Sequence, residues 1–194
     1  MSSFYKNFSS EFIETVERIN QLNYEKLVSL IKNVQKKRSR IFFFGIGGSS
    51  ANCSHAVNDF RKLLNIECYT PGDNFSEVSA RINDDGWDTA LLSWLKVSKP
   101  TKNDLLYFMS VGGGNYKLKV SVNLIEVAKF AKKKGIKMVS TIGKKNSFLG
   151  KNTSSVIFDI KNPKFLTPIT EALQVYLWHC LVTDPRLQEN KTKW

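Results

Sequence analysis

The sequence predicts a doubly wound α/β domain, in which a parallel five-stranded sheet carries helices on both faces. Two observations predict it: several short apolar runs are too brief for helices, and segments with helical periodicity alternate with these runs. The predicted strands lie at residues 41–44, 105–109, 138–142 and 156–160, with a weaker one at 68–70. The predicted helices between them lie at about 50–64, 76–97, 120–134 and 165–183.

Two amphipathic helices are predicted before the first strand, at residues 4–19 and 24–37. We expect a helical hairpin over 1–38 and a sheet core over 39–194, which together make one domain of 1–194. The apolar faces of such a hairpin exceed what one small domain covers, so packing against a second subunit is expected.

The chain is basic, with a formal net charge of +12 and a pI of about 9.6. This charge suits a polyanion, a small anionic substrate, or a lysine-rich surface without a partner. Aromatic residues are not interleaved with the basic clusters, which argues against nucleic acid as a partner. The runs Lys36–Arg38 and Lys132–Lys134 close predicted helices, where cations complement the negative end of the helix dipole.

The three cysteines, Cys53, Cys68 and Cys180, are odd in number and lie in apolar or helical segments. This pattern argues against a disulfide framework and against a cysteine zinc site. The amino terminus lacks the apolar run of a signal peptide, and no stretch approaches the roughly 20 apolar residues of a membrane span. We therefore expect a soluble cytoplasmic protein that has no membrane partner.

Two glycine-rich turns follow predicted strands. Gly45–Ser50 joins the first strand to a helix, an order that points backbone N–H groups and a helix N-terminus at an anion. Its glycines match neither the dinucleotide fingerprint nor a Walker loop. The second turn is Ser110–Asn115, and Ser121 is predicted to cap the next helix. Turns at the carboxyl ends of neighbouring parallel strands share one crevice, which predicts a site for a phosphorylated small molecule.

The only two histidines of the chain each have a carboxylate at a helical spacing. His55 and Asp59 are four residues apart and share a helix face, a sound arrangement for two ligands of one metal ion. Glu171 and His179 are eight residues apart, which is about 12 Å along a helix. Glu171 is therefore harder to bring to the same ion.

With these residues placed, the chain resembles the SIS (sugar isomerase) domain family, and within it the phosphoheptose isomerases. The resemblance spans nearly the whole chain. It rests on the long N-terminal helices, the G-x-G-G-S turn at 45–49 with His55 beyond it, the Asn83-Asp84 pair, the serine-bearing second turn, and the late helix with Glu171 and His179.

The resemblance implies an isomerase that interconverts sedoheptulose 7-phosphate and D-glycero-D-manno-heptose 7-phosphate. It implies one zinc ion per subunit, bound by His55, Asp59, Glu171 and His179, and a homotetramer with sites at subunit interfaces. The implied substrate-binding residues are Gly47, Gly48, Ser49, Asn83, Asp84, Ser110, Gly112, Ser121 and Glu171.

Several positions depart from the family pattern. Asp59 stands in place of a Glu, Glu171 in place of a Gln, and Ile46 in place of an Asn. Val111 and Gly112 replace hydroxyl residues, and a lysine-bearing insertion at 115–120 follows them. These changes leave the identity of the sugar substrate open. They indicate that the phosphate is held by Ser110, Ser121, backbone amides and a lysine of the insertion.

Moving a carbonyl between two carbons of a sugar phosphate needs a base and an acid, and we assign these roles to Asp59 and His179 as a pair. Zinc would act as a Lewis acid or organise the site. The alternative is a non-catalytic regulator that binds sugar phosphates, because SIS domains also serve in that way.

Overall fold

A five-stranded parallel sheet forms the centre of the fold, and helices cover both faces. The computed structural model describes residues 3–192, so the ends of the expected 1–194 domain lie outside the described residues. The strands are β1 (Arg40–Phe44), β2 (Glu67–Tyr69), β3 (Leu105–Ser110), β4 (Lys137–Ile142) and β5 (Ser154–Ile157). The helices are α1 (Phe4–Glu17), α2 (Gln21–Lys37), α3 (Gly48–Leu64), α4 (Phe75–Asp85), α5 (Trp87–Val97), α6 (Val122–Lys134), α7 (Phe148–Asn152) and α8 (Leu166–Thr183).

The strand order is β2-β1-β3-β4-β5, and every pair is parallel. The chain runs from β1 outward to β2 and then returns to form β3 on the other side of β1. The carboxyl ends of β1 and β3 are therefore neighbours at the point where the strand order reverses. This confirms the predicted fold class and places the two glycine turns at the edge where open α/β sheets bind ligands.

Strand β1 shows why the sheet must be covered on both sides. Ile41 and Phe43 pack into the layer formed by α2, α3 and α8, whereas Phe42 and Phe44 pack into the layer of α5 and α6. All four side chains are completely buried. Burying side chains of this size contributes about 1.5–3 kcal/mol each, so both layers depend on this strand.

The predicted helix at 76–97 is wrong in one respect, because the structure divides it into α4 and α5. Gly86 separates them with a φ of 79°, a conformation that side chains other than glycine rarely adopt. Helix α5 buries Ala90, Leu91, Trp94 and Leu95, while α4 buries no side chain. The structure also contains α7, which is too short for its periodicity to be read from the sequence.

The N-terminal helices are close to their predicted positions, but they differ in how well the chain covers them. Helix α2 buries Leu27, Val28, Ile31 and Val34 in the core. Helix α1 buries Thr15 and leaves Phe4, Tyr5 and Ile13 exposed by 73%, 77% and 57%. The uncovered apolar surface expected for the hairpin therefore lies mainly on α1, with Leu22 of α2 also exposed by 77%.

The cysteines and the basic runs lie as predicted. All three cysteines are free thiols, and burial raises the pKa of both Cys53 and Cys68. Lysines occupy the last turns of α2 and α6. Within residues 3–192, no helix combines the length and the apolar character needed to cross a bilayer.

A partly buried ion pair ties the start of β1 to the loop before β3. Asp104 is 3% exposed, and its carboxylate accepts hydrogen bonds from the Arg40 guanidinium at 3.0 Å and from the Thr101 backbone N–H at 2.7 Å. Burial by itself would raise the pKa of Asp104, but these hydrogen bonds outweigh it and hold the pKa below its ordinary value. The folded state is therefore stabilised by the ionised form.

We expect Asp104→Asn to lower the free energy of unfolding by about 3 kcal/mol at neutral pH, because the Arg40 charge loses its partner. A depressed carboxyl pKa stabilises the fold above the unfolded pKa of about 3.9, so the difference from wild type should shrink as the pH falls below about 4. Urea unfolding at several pH values measures both effects. Asp159→Asn is the control, because its exposed pair with Lys161 contributes less than about 1 kcal/mol. Equal losses in the two variants would contradict this account.

Candidate active site

Two helices bring the histidines and one carboxylate together in a group that we call the His/Asp cluster (His55, Asp59 and His179). His55 and Asp59 lie one turn apart on α3, and His179 lies on α8, which packs against α3. The Nε2 atoms of His55 and of His179 are each 3.4 Å from Oδ2 of Asp59. The predicted convergence of these three residues is therefore present in the structure.

Hydrogen bonds between α3 and α8 fix how these helices meet. The Asn52 side-chain amide donates to Oε1 of Gln174 at 2.9 Å and to the Glu171 backbone carbonyl at 3.0 Å. Gln174 is 1% exposed, so the contact is shielded from water. A buried polar contact of this kind is costly to break, and it sets the position of α8 relative to His55 and Asp59.

The members of the His/Asp cluster differ in exposure. The side chains of His55 and His179 are 54% and 49% exposed, whereas that of Asp59 is 14% exposed. The imidazole rings are thus open to a ligand from solvent, while the carboxylate lies beneath them. A small molecule that reaches the cluster meets both rings before it meets Asp59.

The donor set fits a zinc ion. Each residue offers one ligand atom, and all three atoms lie within 4.8 Å of one another. Tetrahedral zinc with bonds of about 2.0–2.2 Å places its ligands roughly 3.3–3.6 Å apart, which matches the 3.4 Å separations. Two imidazoles and a carboxylate, with a fourth position open, are typical of catalytic rather than structural zinc.

Glu171 does not join the His/Asp cluster. Its carboxyl group lies over the first residue of α3, where a methyl group added to Gly48 would come within 2.5 Å of Oε2 of Glu171. Because Glu171 is two turns from His179 on α8, the rise of the helix carries it away from the histidine. The structure thus brings Glu171 to the first glycine turn, and its predicted role in substrate binding stays a prediction.

The first turn is built for close approach of its backbone. Gly47 precedes α3 with a φ of 60°, and a side chain on Gly45 would come within 2.4 Å of the Ser49 carbonyl oxygen. Ser49 is 1% exposed, and its hydroxyl makes no hydrogen bond within the described residues. A buried hydroxyl without a partner is unusual and is commonly satisfied by water or a ligand.

The second turn is held by its own serine. Ser110 is 5% exposed, and its hydroxyl accepts a hydrogen bond from the Gly113 N–H at 3.0 Å. Gly112 has open space above it. Ser121 is at the N-cap position of α6 as predicted, but with a φ of 50° its side chain makes no capping hydrogen bond, so the expected capping role is wrong.

Two other predicted segments lie on the surface. The insertion is a small hairpin closed by two backbone hydrogen bonds between Asn115 and Val120, and all of residues 115–120 are exposed. Asn83 and Asp84 lie on the exposed side of α4, where the Asn83 amide donates to the Asp84 carboxylate at 2.8 Å. Among the described residues, Asp84 does not belong to the His/Asp cluster, and the role of this pair in substrate binding stays a prediction.

Sequence reasoning missed Trp178, which lies under the His/Asp cluster. Its indole N–H donates to Oδ2 of Asp59 at 3.2 Å, and its ring meets those of His55 and His179 edge-on at 5.2 Å. No spacing rule could have found it, because the contact to Asp59 joins two helices.

Comparison with known proteins places the fold. No family model matches the chain. Over 149 residues it is 32% identical to the lincomycin biosynthesis protein LmbN from Streptomyces lincolnensis, which covers 71% of this chain and 52% of LmbN. The chain thus spans about half the length of this curated relative.

Two solved structures are similar over almost their whole length. Phosphoheptose isomerase GmhA from Neisseria gonorrhoeae gives a TM-score of 0.75 at 18% identity and covers 93% of this chain and 98% of that chain. A phosphoheptose isomerase from Francisella tularensis gives 0.76 at 16% identity, with 94% and 97% covered. The chain has the SIS-domain fold.

Two cavities flank opposite edges of this SIS fold. One of about 110 Å³ lies beside the first turn and is walled by Ile46, Val78, Trp87 and Leu91. A larger one of about 430 Å³ lies at the other edge of the sheet, beside Gln35 and Asn65. Ligands of open parallel sheets bind at the carboxyl edge, so the smaller cavity is the better candidate for a ligand site. Ile46, which replaces the expected Asn, makes its wall apolar.

Proposed function

We propose that the protein is an aldose-ketose isomerase of sugar phosphates, with sedoheptulose 7-phosphate as the substrate and D-glycero-D-manno-heptose 7-phosphate as the product. The observation that carries the proposal is the His/Asp cluster, in which one carboxylate lies 3.4 Å from two solvent-open imidazoles where α3 packs against α8. The two phosphoheptose isomerases with the same fold support the substrate class.

The chemistry requires a proton to move between C1 and C2 of the sugar through an enediol, while the oxygens on these carbons are protonated and deprotonated in turn. Asp59 and His179 supply the two groups. A half-exposed imidazole reaches a substrate oxygen, and the less exposed carboxylate exchanges a proton with carbon or with that imidazole. The 3.4 Å approach of His179 to Asp59 couples the two.

Zinc would be held by His55, Asp59 and His179, and when bound it would polarise the carbonyl or the hydroxyls as a Lewis acid. An imidazole nitrogen that ligates a metal cannot take up a proton at the same time. The metal and proton roles of His179 Nε2 therefore compete, and the activity of zinc-free protein separates them.

The phosphate is proposed to bind at the second turn rather than the first. The Glu171 carboxyl already lies over the N-terminus of α3, and a second anion there would be repelled. The second turn offers open space above Gly112, the uncommitted Ser121 side chain and the start of α6. Lys117 and Lys119 follow it in the exposed hairpin.

A homotetramer is the proposed assembly. The exposed apolar side chains of α1 supply a surface for a second copy, and the half-exposed rings of the His/Asp cluster leave room for a neighbour to enclose the substrate. Light scattering on the purified protein measures the assembly directly.

The first prediction from this proposal concerns zinc. We expect about one equivalent per chain, and loss of an imidazole ligand in His55→Ala should weaken zinc binding on the order of a hundredfold. Glu171→Gln is the matched test of a fourth ligand and should change the affinity little, because its carboxyl lies over Gly48. Calorimetric titration of zinc-free protein measures both. Wild-type protein that takes up no zinc would exclude the metal site.

The second prediction concerns turnover of sedoheptulose 7-phosphate. His179→Ala and Asp59→Asn should each lower kcat on the order of a hundredfold or more, because both remove a group that transfers protons. Asp159→Asn repeats the Asp-to-Asn change at an exposed site and should keep full activity. Aldose formation in a coupled assay is the measurement.

A wild-type protein that binds sugar phosphates but converts none of them would instead identify a regulator. Folded variants with unchanged kcat would remove Asp59 and His179 from the mechanism while leaving the isomerase itself in place.

The third prediction concerns the phosphate. Ser121→Ala should raise KM about fivefold, the effect of losing a hydrogen bond worth roughly 1 kcal/mol. Lys117→Glu with Lys119→Glu should raise KM strongly at low salt and less at high salt, because salt screens exposed charges. Lys133→Glu with Lys134→Glu, at the far end of α6, is the matched control. If the hairpin variant keeps the wild-type KM at low salt, its lysines do not contact phosphate.

A further inference from the structure

We infer that Trp178 is a positioning residue that fixes the Asp59 carboxylate between the two histidines. The inference rests on the proposed role of Asp59 in metal binding and proton transfer. Trp178 itself is fully buried beneath the cluster, so it acts through Asp59 rather than by touching substrate.

Both oxygens of Asp59 are held by donors. Oδ2 accepts the Trp178 indole N–H at 3.2 Å, and Oδ1 accepts the side-chain amide of the neighbouring Asn58 at 3.0 Å. Asn58 is exposed and competes with water for this bond, whereas Trp178 is 0% exposed. The durable restraint on the carboxylate therefore comes from the indole.

The indole is suited to this role because it only donates a hydrogen bond and does not titrate. Its bond to Oδ2 takes one lone pair and leaves the other for a histidine or a metal ion. The histidines change between donor and acceptor with protonation, so neither could hold Asp59 in one orientation throughout a reaction cycle.

The Trp178 ring also supports the histidines. Its centroid lies 5.2 Å from each imidazole centroid, and the two imidazoles lie 5.5 Å from each other. One buried side chain thus contacts every member of the cluster. Asp59 is shorter than the Glu that the family resemblance leads one to expect, so its carboxylate extends less far from α3. A rigid hydrogen-bond donor fixes the position of this carboxylate.

The first experiment uses zinc-free protein and follows the indole N–H signals by ¹⁵N–¹H NMR. The chain has four tryptophans, and Trp178→Phe assigns the signal of interest. Asp59→Ala should shift the Trp178 indole proton upfield and speed its exchange with solvent, while the Trp94 signal stays unchanged. An unaffected Trp178 signal overturns the inference, whether or not the protein binds zinc or has activity.

The second experiment is a double-mutant cycle on zinc affinity. Trp178→Phe should weaken binding about tenfold in the wild-type background, as is usual when a group that orients a metal ligand is lost, and not at all in an Asp59→Ala background. Trp94→Phe controls for loss of a buried indole, because Trp94 packs on Phe42 and Phe44 in the other layer.

Equal losses in the two backgrounds would show a merely structural role and overturn the inference. If wild-type protein binds no zinc, the metal part of the proposed function fails, and the NMR result on Asp59→Ala alone decides the role of Trp178. If Trp178→Phe does not fold, the signals are assigned by Trp87→Phe, Trp94→Phe and Trp194→Phe, and the same NMR result decides.

Discussion

The contact between α3 and α8 is the constraint on which the site depends. Gly48 has no side chain, so Glu171 can lie directly over the start of α3, and Asn52 joins the two helices by hydrogen bonds one turn further on. Successive turns of α3 and α8 then place further side chains of the two helices in contact. Further along this interface lie the histidines and Asp59, with Trp178 packed beneath them. A shift of one helix by a single residue would separate all of them.

The two glycine turns have similar sequences but different electrostatics. A carboxyl group already occupies the space over the first turn, because Glu171 extends there from α8. The second turn faces an exposed hairpin that carries lysines and has no acidic residue of its own. Helix N-termini attract anions at both places, but in the first case the protein supplies the anion itself. The presence of two similar loops therefore does not mean two equivalent phosphate sites.

The sequence was sufficient for the fold because burial on two faces leaves a simple pattern. Phe42 and Phe43 are both apolar since each faces its own layer, and such runs alternate clearly with helices. The break at Gly86 was not foreseen, because one glycine inside a long periodic segment is also compatible with a continuous helix. The pairing of His55 with Asp59 follows from helical spacing alone. The position of Glu171 and the contact of Trp178 do not, since both depend on how two distant helices cross.

The net charge of +12 is not the charge of the site. The lysine clusters lie in the last turns of α2 and α6, and each of these helices leads into a parallel strand. The lysine clusters therefore lie at the amino edge of the sheet, opposite the glycine turns. At the carboxyl edge, Glu171 adds negative charge beside the first glycine turn, and Asp59 adds a second negative charge further along α3. The net positive charge of the molecule attracts a phosphorylated sugar, but the charges of the residues at the site decide whether it binds there. Neutralisation of Asp59 by a bound cation, and distance from Glu171, would each make the site more favourable for an anion. The same local balance explains why total charge is a poor guide to the partner of this protein.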